Sequence, residues 1–235
     1  MLLSVIATGS TGNCYALHAD GKILLLDAGI PAPKIMRGID HRAGDIVGCL
    51  ITHEHQDHCK GAQKLNDLGI ACYGSRGTRR ELCYLHGLNT QISLEPFAVR
   101  PFRVAHDAVD PCGWLILNRR TGERMVYATD ACGLYNTFPG VNYWLIECNY
   151  MDELLTPDMP GVVLERLSHS HMSLARLCDV FRANDLTACK QIVLCHGSRE
   201  RLNPSKAVET LERLTGKPVA VAAAGRMIRL EMEPF

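Results

Sequence analysis

Six consecutive residues, His53-Glu54-His55-Gln56-Asp57-His58, hold four side chains of the kind that bind divalent metals. They follow a short apolar run, Cys49-Leu50-Ile51-Thr52, that reads as a strand. Side chains alternate along an extended chain, so His53 and His55 project to one side. Asp57 and His58 come where the chain should turn into a helix, and so reach the same point from another direction. Three imidazoles and a carboxylate suffice to start two adjacent metal sites. A pair of bridged divalent ions makes hydroxide from water near neutral pH, which is the chemistry of hydrolysis. Surface histidines on a polar loop would not need this spacing.

Two sites need more donors than one hexapeptide supplies. Three further residues leave apolar runs at the point where a strand should give way to a loop. His106 follows residues 97–105, Asp130 follows Arg124-Met125-Val126-Tyr127-Ala128, and His196 follows Ile192-Val193-Leu194-Cys195. All seven donors could converge on one sheet edge.

The elements that must position them are mostly strands. Strands are expected at 2–8, 14–19 and 22–27, with Asp20-Gly21 as a hairpin turn. Others are expected at 49–52, 70–73, 97–105, 113–117, 124–128, 142–147, 191–195 and 227–230. Helices are expected at 33–39, at 59–68 ended by Gly69, at 77–86, at 174–182 begun by Ser173, and at 205–214. Leu174, Leu177, Cys178 and Phe181 have helical spacing. Strands dominate both halves and each half carries helices, an order that suits two packed sheets with helices outside. No repeat or linker divides the sequence, so one domain over 1–235 is expected.

The bulk numbers agree. The chain has 235 residues, 47% of them apolar, enough for one sizeable core. Lys+Arg and Asp+Glu number 25 each, which argues against a broad, non-specific nucleic-acid binder. Bound ions would change that balance locally. The eleven cysteines include no C-x-x-C pair and often lie in apolar runs. They read as reduced thiols used as small hydrophobes in a cytoplasmic chain. The N-terminus lacks the basic start of a signal peptide, and no apolar run approaches membrane-spanning length.

The set His53, His55, Asp57, His58, His106, Asp130 and His196 resembles the ligand set of the metallo-β-lactamase superfamily. The resemblance implies a four-layer αββα sandwich of α/β class and two divalent ions, Zn or Mn. One ion would take His53, His55 and His106; the other would take Asp57, His58 and His196; Asp130 would bridge them. Thr8-Gly9-Ser10-Thr11-Gly12-Asn13, Leu26-Asp27-Ala28-Gly29, His106-Asp107-Ala108 and Leu145-Ile146-Glu147-Cys148-Asn149 add a similarity to the YycJ/WalJ-type single-domain members. That branch implies a 5′→3′ exonuclease on single-stranded nucleic-acid ends.

The branch also implies catalytic roles for Asp57, Glu147 and His171, with His171 assisting the leaving group. Ser10, Asn13, Asn149 and Ser198 are candidate substrate contacts. Asp27 is expected beside a ligand histidine, and Cys59 and Cys132 near the site. The pattern departs from that branch at Tyr150, where its histidine stands, and at Ser170, where it has glycine. A small-molecule hydrolase acting on a lactone, thioester or β-lactam would need neither Glu147 nor His171. A metal-dependent binding module would need no turnover at all. No membrane or obligate protein partner is implied.

Overall fold

The computed structural model describes residues 1–156 and 158–230. Its strands are β1 (Leu2–Ala7), β2 (Cys14–Ala19), β3 (Lys22–Leu26), β4 (Ile46–Leu50), β5 (Cys72–Ser75), β6 (His86–Leu88), β7 (Ile92–Leu94), β8 (Phe97–Arg103), β9 (Cys112–Asn118), β10 (Arg124–Ala128), β11 (Tyr143–Glu147), β12 (Gln191–Cys195), β13 (Val219–Val221) and β14 (Met227–Arg229). Its helices are α1 (Ala32–Gly38), α2 (Gln56–Cys59), α3 (Ala62–Asp67), α4 (Arg76–Glu81), α5 (Gly161–Ser170), α6 (Leu174–Arg182) and α7 (Pro204–Thr215).

Two seven-stranded sheets form, in the orders β14-β1-β2-β3-β4-β5-β6 and β13-β12-β11-β10-β9-β8-β7. Both follow one plan that the sequence did not reveal as a repeat. An antiparallel meander (β1–β3, β8–β10) is extended by parallel strands (β4–β6, β11–β13). The four edge strands have three residues each, too short to template pairing with another chain.

Alternation along the strands sorts the core into layers. Leu3, Val5, Leu17 and Leu24 of the first sheet meet Phe97, Trp114, Tyr143 and Val193 of the second in the central layer. On the outer side of the first sheet, Ala16, Ile23 and Leu25 pack on Ile35 of α1 and Leu65 of α3. On the outer side of the second, Trp144, Ile146 and Ile192 pack on Leu177 and Phe181 of α6 and Leu211 of α7. This is the expected αββα sandwich. Burying each large apolar side chain contributes roughly 1.5–3 kcal/mol.

Some elements differ from expectation. The helix expected over 59–68 starts earlier, at Gln56, and breaks between α2 and α3. The carbonyls of Asp57 and His58 accept the N–H groups of Asn13 and Ala28 at 2.8 Å, so they are lost to the helix ladder. His86, expected at the end of a helix, begins β6, because α4 stops at Glu81. Helix α5 and the short strands β7 and β13 were not expected. All eleven cysteines are free thiols, and only Cys83 is exposed.

Candidate metal centre

The carboxyl ends of β3, β4, β8, β10, β11 and β12 lie on one rim of the sandwich, where open sheets place their ligands. Asp27, Asp130 and His196 each follow one of these strands with positive φ (56°, 47° and 51°). Such a left-handed residue breaks the alternation and swings its side chain out of the sheet onto the rim. It costs on the order of 1–3 kcal/mol, and such costs cluster at functional sites.

The structure brings all seven expected donors together. The ligand atoms of His53, His55 and His106 lie within 4.8 Å of one another, and so do those of Asp57, His58, Asp130 and His196. A third group joins Asp130, Glu147, His171 and His196.

The hydrogen bonds around the cluster fix which ring nitrogens face inward. Asp27 is fully buried and accepts from Thr52 N–H at 2.8 Å, from the Thr52 hydroxyl at 3.0 Å and from the Tyr127 hydroxyl at 2.6 Å. The remaining demand on it comes from His58 Nδ1 at 2.8 Å. A donor role for Nδ1 leaves the Nε2 lone pair of His58 facing Asp130 Oδ2 at 3.3 Å and Asp57 Oδ2 at 3.5 Å. His53 Nδ1 pairs with the Thr52 hydroxyl at 3.1 Å, and His106 Nδ1 with the Ser170 carbonyl at 2.9 Å. Their Nε2 atoms are turned into the cluster. His53 Nε2 and His196 Nε2 are buried with no hydrogen-bond partner among the described residues. Buried ring nitrogens without partners, gathered beside Asp57 and Asp130, are what a cation would satisfy. The all-nitrogen-and-oxygen donor set fits a divalent metal.

The electrostatics report the same demand for positive charge. Burial works against a charged His58, but Asp130 and Asp27 outweigh it and hold the ring well above the ordinary histidine range. Burial likewise opposes a charged His196, yet Asp130, Asp57 and Glu147 push it up to about 10. His53 goes the other way, because burial and the neighbouring His58 both keep it neutral. Burial would raise Asp57, but His196 and His58 hold it well below the usual carboxylate range.

Glu147, given a catalytic role by the resemblance, is fully buried with both oxygens hydrogen-bonded. Oε1 accepts from His171 Nδ1 at 2.8 Å and lies 3.0 Å from His196 Nδ1, while Oε2 accepts from Ala131 N–H at 2.9 Å and Met172 N–H at 3.2 Å. It positions two rings and the Asp130 loop. His171 lies in the short extended link between α5 and α6, partly exposed. Its ring stacks on His196 with centroids 5.4 Å apart. Burial opposes its charged form, but Glu147 outweighs it and holds the ring above the ordinary histidine range.

The expected substrate contacts divide. Ser10 is exposed on the β1–β2 turn. Ser198 is partly exposed, and its hydroxyl accepts from Arg201 N–H at 3.2 Å. Asn13 is buried. Its amide bonds Gly9 at both ends and lies 3.2 Å from His58 Nε2, so it is consumed in holding the turn against the cluster. Asn149 is also buried and donates to the His196 carbonyl at 2.9 Å. The side-chain hydrogen bonds of Asn13 hold the turn, and those of Asn149, among the described residues, come from its Nδ2 alone.

Cys59 Sγ lies 3.1 Å from the Glu54 carbonyl, and Cys132 N–H donates to the Ala105 carbonyl at 2.8 Å; Glu54 and Ala105 each adjoin a donor in sequence. Three supporting groups escaped the sequence reading. Thr52 and Tyr127 anchor Asp27, and Glu54 accepts Val109 N–H at 2.8 Å, holding the loop after His106. Tyr127 could have been found as the inward residue of the strand that ends near Asp130. Tyr150, at the departure from the expected pattern, is buried, and its carbonyl accepts Leu174 N–H at 2.8 Å.

A family model described as Anti-Pycsar protein Apyc1 matches residues 6–92. The chain is 28% identical over 171 residues to "Exodeoxyribonuclease YycJ" of Bacillus anthracis, covering 65% of this chain and 64% of that protein. It is 27% identical over 173 residues to "Exodeoxyribonuclease WalJ" of Streptococcus pneumoniae, with the same coverages. The chain thus spans a little under two thirds of the length of the curated relatives it matches. Among solved structures it is similar to the metallo-β-lactamase fold protein YhfI of Bacillus subtilis, with TM-score 0.72, 15% identity, and coverage of 97% of this chain and 98% of that one. The chain has the metallo-β-lactamase fold, and its sequence resembles the YycJ/WalJ exodeoxyribonucleases.

Proposed function

We propose that the chain is a metal-dependent phosphodiesterase that trims nucleic-acid ends, acting as a 5′→3′ exonuclease on single-stranded DNA or RNA. The observation that carries this reading is the convergence of seven donors with inward, partnerless nitrogens beside the His171–Glu147 pair. Both curated relatives bear the name exodeoxyribonuclease, which supports a nucleic-acid substrate.

Two divalent ions, Zn or Mn, would be held as the resemblance implies. His53, His55 and His106 would hold one, Asp57, His58 and His196 the other, with Asp130 shared. Bound ions of this kind polarise phosphoryl oxygens and lower the pKa of water. The chain's own residues do the rest. Glu147 fixes His171 Nδ1 as donor, which leaves Nε2 to face the cleft. Kept protonated by Glu147, His171 donates a proton to the departing oxygen. Asp57 sets the direction of attack from the opposite wall. Ser10 and Ser198, both solvent-accessible, flank the opening and contact the substrate.

Asp57→Ala should abolish cleavage of a 5′-labelled single strand and reduce bound metal. His171→Ala should lower kcat by roughly 10²–10⁴ while leaving metal content intact. Full activity of His171→Ala removes the leaving-group role. Turnover of a thioester with oligonucleotides left whole overturns the phosphodiesterase reading itself.

A further inference from the structure

Helices α1 and α3 cover only part of the outer face of the first sheet. Beyond them a groove of about 1150 Å³ runs along β1. Leu3, Val5 and Leu17 face the central layer. The alternate residues Leu2, Ser4, Ile6 and His18 therefore form the groove floor, with Ser4 Oγ and His18 Nε2 2.9 Å apart. α1 forms one wall, seated close on β1 because Gly38 has no side chain; a Cβ there would come 2.6 Å from Ile6. The hairpin leading into β14 forms the other wall.

The charge of this groove stands out in a chain with 25 basic and 25 acidic residues. Among the described residues, its lining has six basic side chains against two acidic ones. Lys22, Lys34, Arg37 and Arg229 are exposed and make no ion pair among the described residues. Among the described residues, the lining contains no Phe, Trp or Tyr.

One end of the groove reaches Thr11 and Ile30. Thr11 lies in the turn whose Asn13 amide is 3.2 Å from His58 Nε2. From that turn β1 runs along the groove for about 20 Å.

We propose that this groove carries the sugar–phosphate backbone of a single-stranded nucleic acid running away from the metal centre, an inference that rests on the phosphodiesterase reading above. Cations without ion pairs, spaced along a groove that reaches the turn packed on the metal cluster, match a chain of phosphates. The absence of aromatic side chains makes the contact electrostatic and sequence-independent, in contrast to a base-stacking platform. An acidic protein segment would satisfy the charges, but nothing would require its groove to reach the turn packed on the metal cluster.

The test compares the unsubstituted protein with the triple variant Lys34→Gln, Arg37→Gln, Arg229→Gln, whose changes lie on the surface. Binding of a fluorescein-labelled 20-nucleotide single strand to the metal-free proteins is followed by anisotropy across salt concentrations. The variant should bind on the order of 10–100-fold more weakly at 0.1 M salt. Its slope of log affinity against log salt should be shallower by about 2, at roughly 0.7 per cation removed. Its turnover of bis-p-nitrophenyl phosphate with metal should equal that of the unsubstituted protein. Equal affinity and equal slope in the two proteins overturn the proposal and leave the groove to an acidic protein segment. The binding assay needs no turnover, so its failure is distinct from that of the functional reading, which would show as no hydrolysis of bis-p-nitrophenyl phosphate by the unsubstituted protein.

Discussion

Asp130, Asp27, Asp57 and Glu147 surround His58 and His196 and raise both rings above the ordinary histidine range, which favours their protonated forms. A histidine that ligates metal must be neutral, so uptake displaces those protons. Both rings are raised above the ordinary range, so the protons are present at pH 7 and are lost only as pH climbs, toward about 10 for His196. Metal uptake at pH 7 should therefore release about two protons per chain, and apparent affinity should rise from pH 6 to pH 9. Calorimetry in buffers of different ionisation enthalpy measures that release; metal uptake with no proton release would contradict it.

Asp27 makes a second residue-scale case. It joins Thr52 of the first sheet, Tyr127 of the second and the ligand candidate His58. Asp27→Asn removes the charge that His58 and Tyr127 are arranged around and leaves a buried amide with mismatched donors. Metal affinity should fall about 10–100-fold, and unfolding in urea should show a loss on the order of 3 kcal/mol. Affinity and stability matching the unsubstituted chain would remove Asp27 from the site's support.

At the scale of elements, the site depends on loops locked onto the broken helix α2–α3. Gly29 packs directly on the Asp57 carbonyl, and any Cβ there would run into it. Asn13 N–H and Gly29 N–H close the same junction. Gly29→Ala must therefore push the β3 loop and the Asp57 backbone apart. We expect a stability loss of about 1–3 kcal/mol, the usual scale of overpacking, and weaker metal binding measured in the same chelator titration. Gly44→Ala, where a Cβ meets nothing, should change neither.

The elements also show what a sequence reveals. Strands that end in a histidine or aspartate were legible, because an apolar run followed by a donor marks where chain leaves a sheet. His106, Asp130 and His196 were found that way. The helix break at Lys60-Gly61 was not legible, since it arises when distant loops capture the carbonyls of Asp57 and His58. Helix α5 escaped because Val162, Val163, Ser168 and Ser170 are weak helix formers placed behind Pro160. The buried state of Glu147, Asn13 and Asn149 escaped for another reason. Residue type and proximity point to a site, but only packing shows that an amide or carboxylate has already spent its hydrogen bonds.

For the whole molecule, the decisive fact is that neither sheet owns the metal centre. His53, His55, Asp57 and His58 come from the first sheet; His106, Asp130 and His196 come from the second. The cluster exists only when the two sheets pack through the central layer of Leu3, Leu24, Trp114 and Tyr143. Neutral net charge conceals this arrangement, with buried carboxylates on one rim and a basic groove on the outer face. Among the described residues, no helix is long and apolar enough to cross a membrane.

The most direct measurement is the metal-to-protein ratio of the folded chain, read by elemental analysis for the unsubstituted protein and for His106→Ala and His196→Ala. The account predicts about two ions per chain, and the loss of one ion in each variant with the other retained. A ratio that stays the same in both variants would show that residues from the second sheet hold no metal, and would contradict the account.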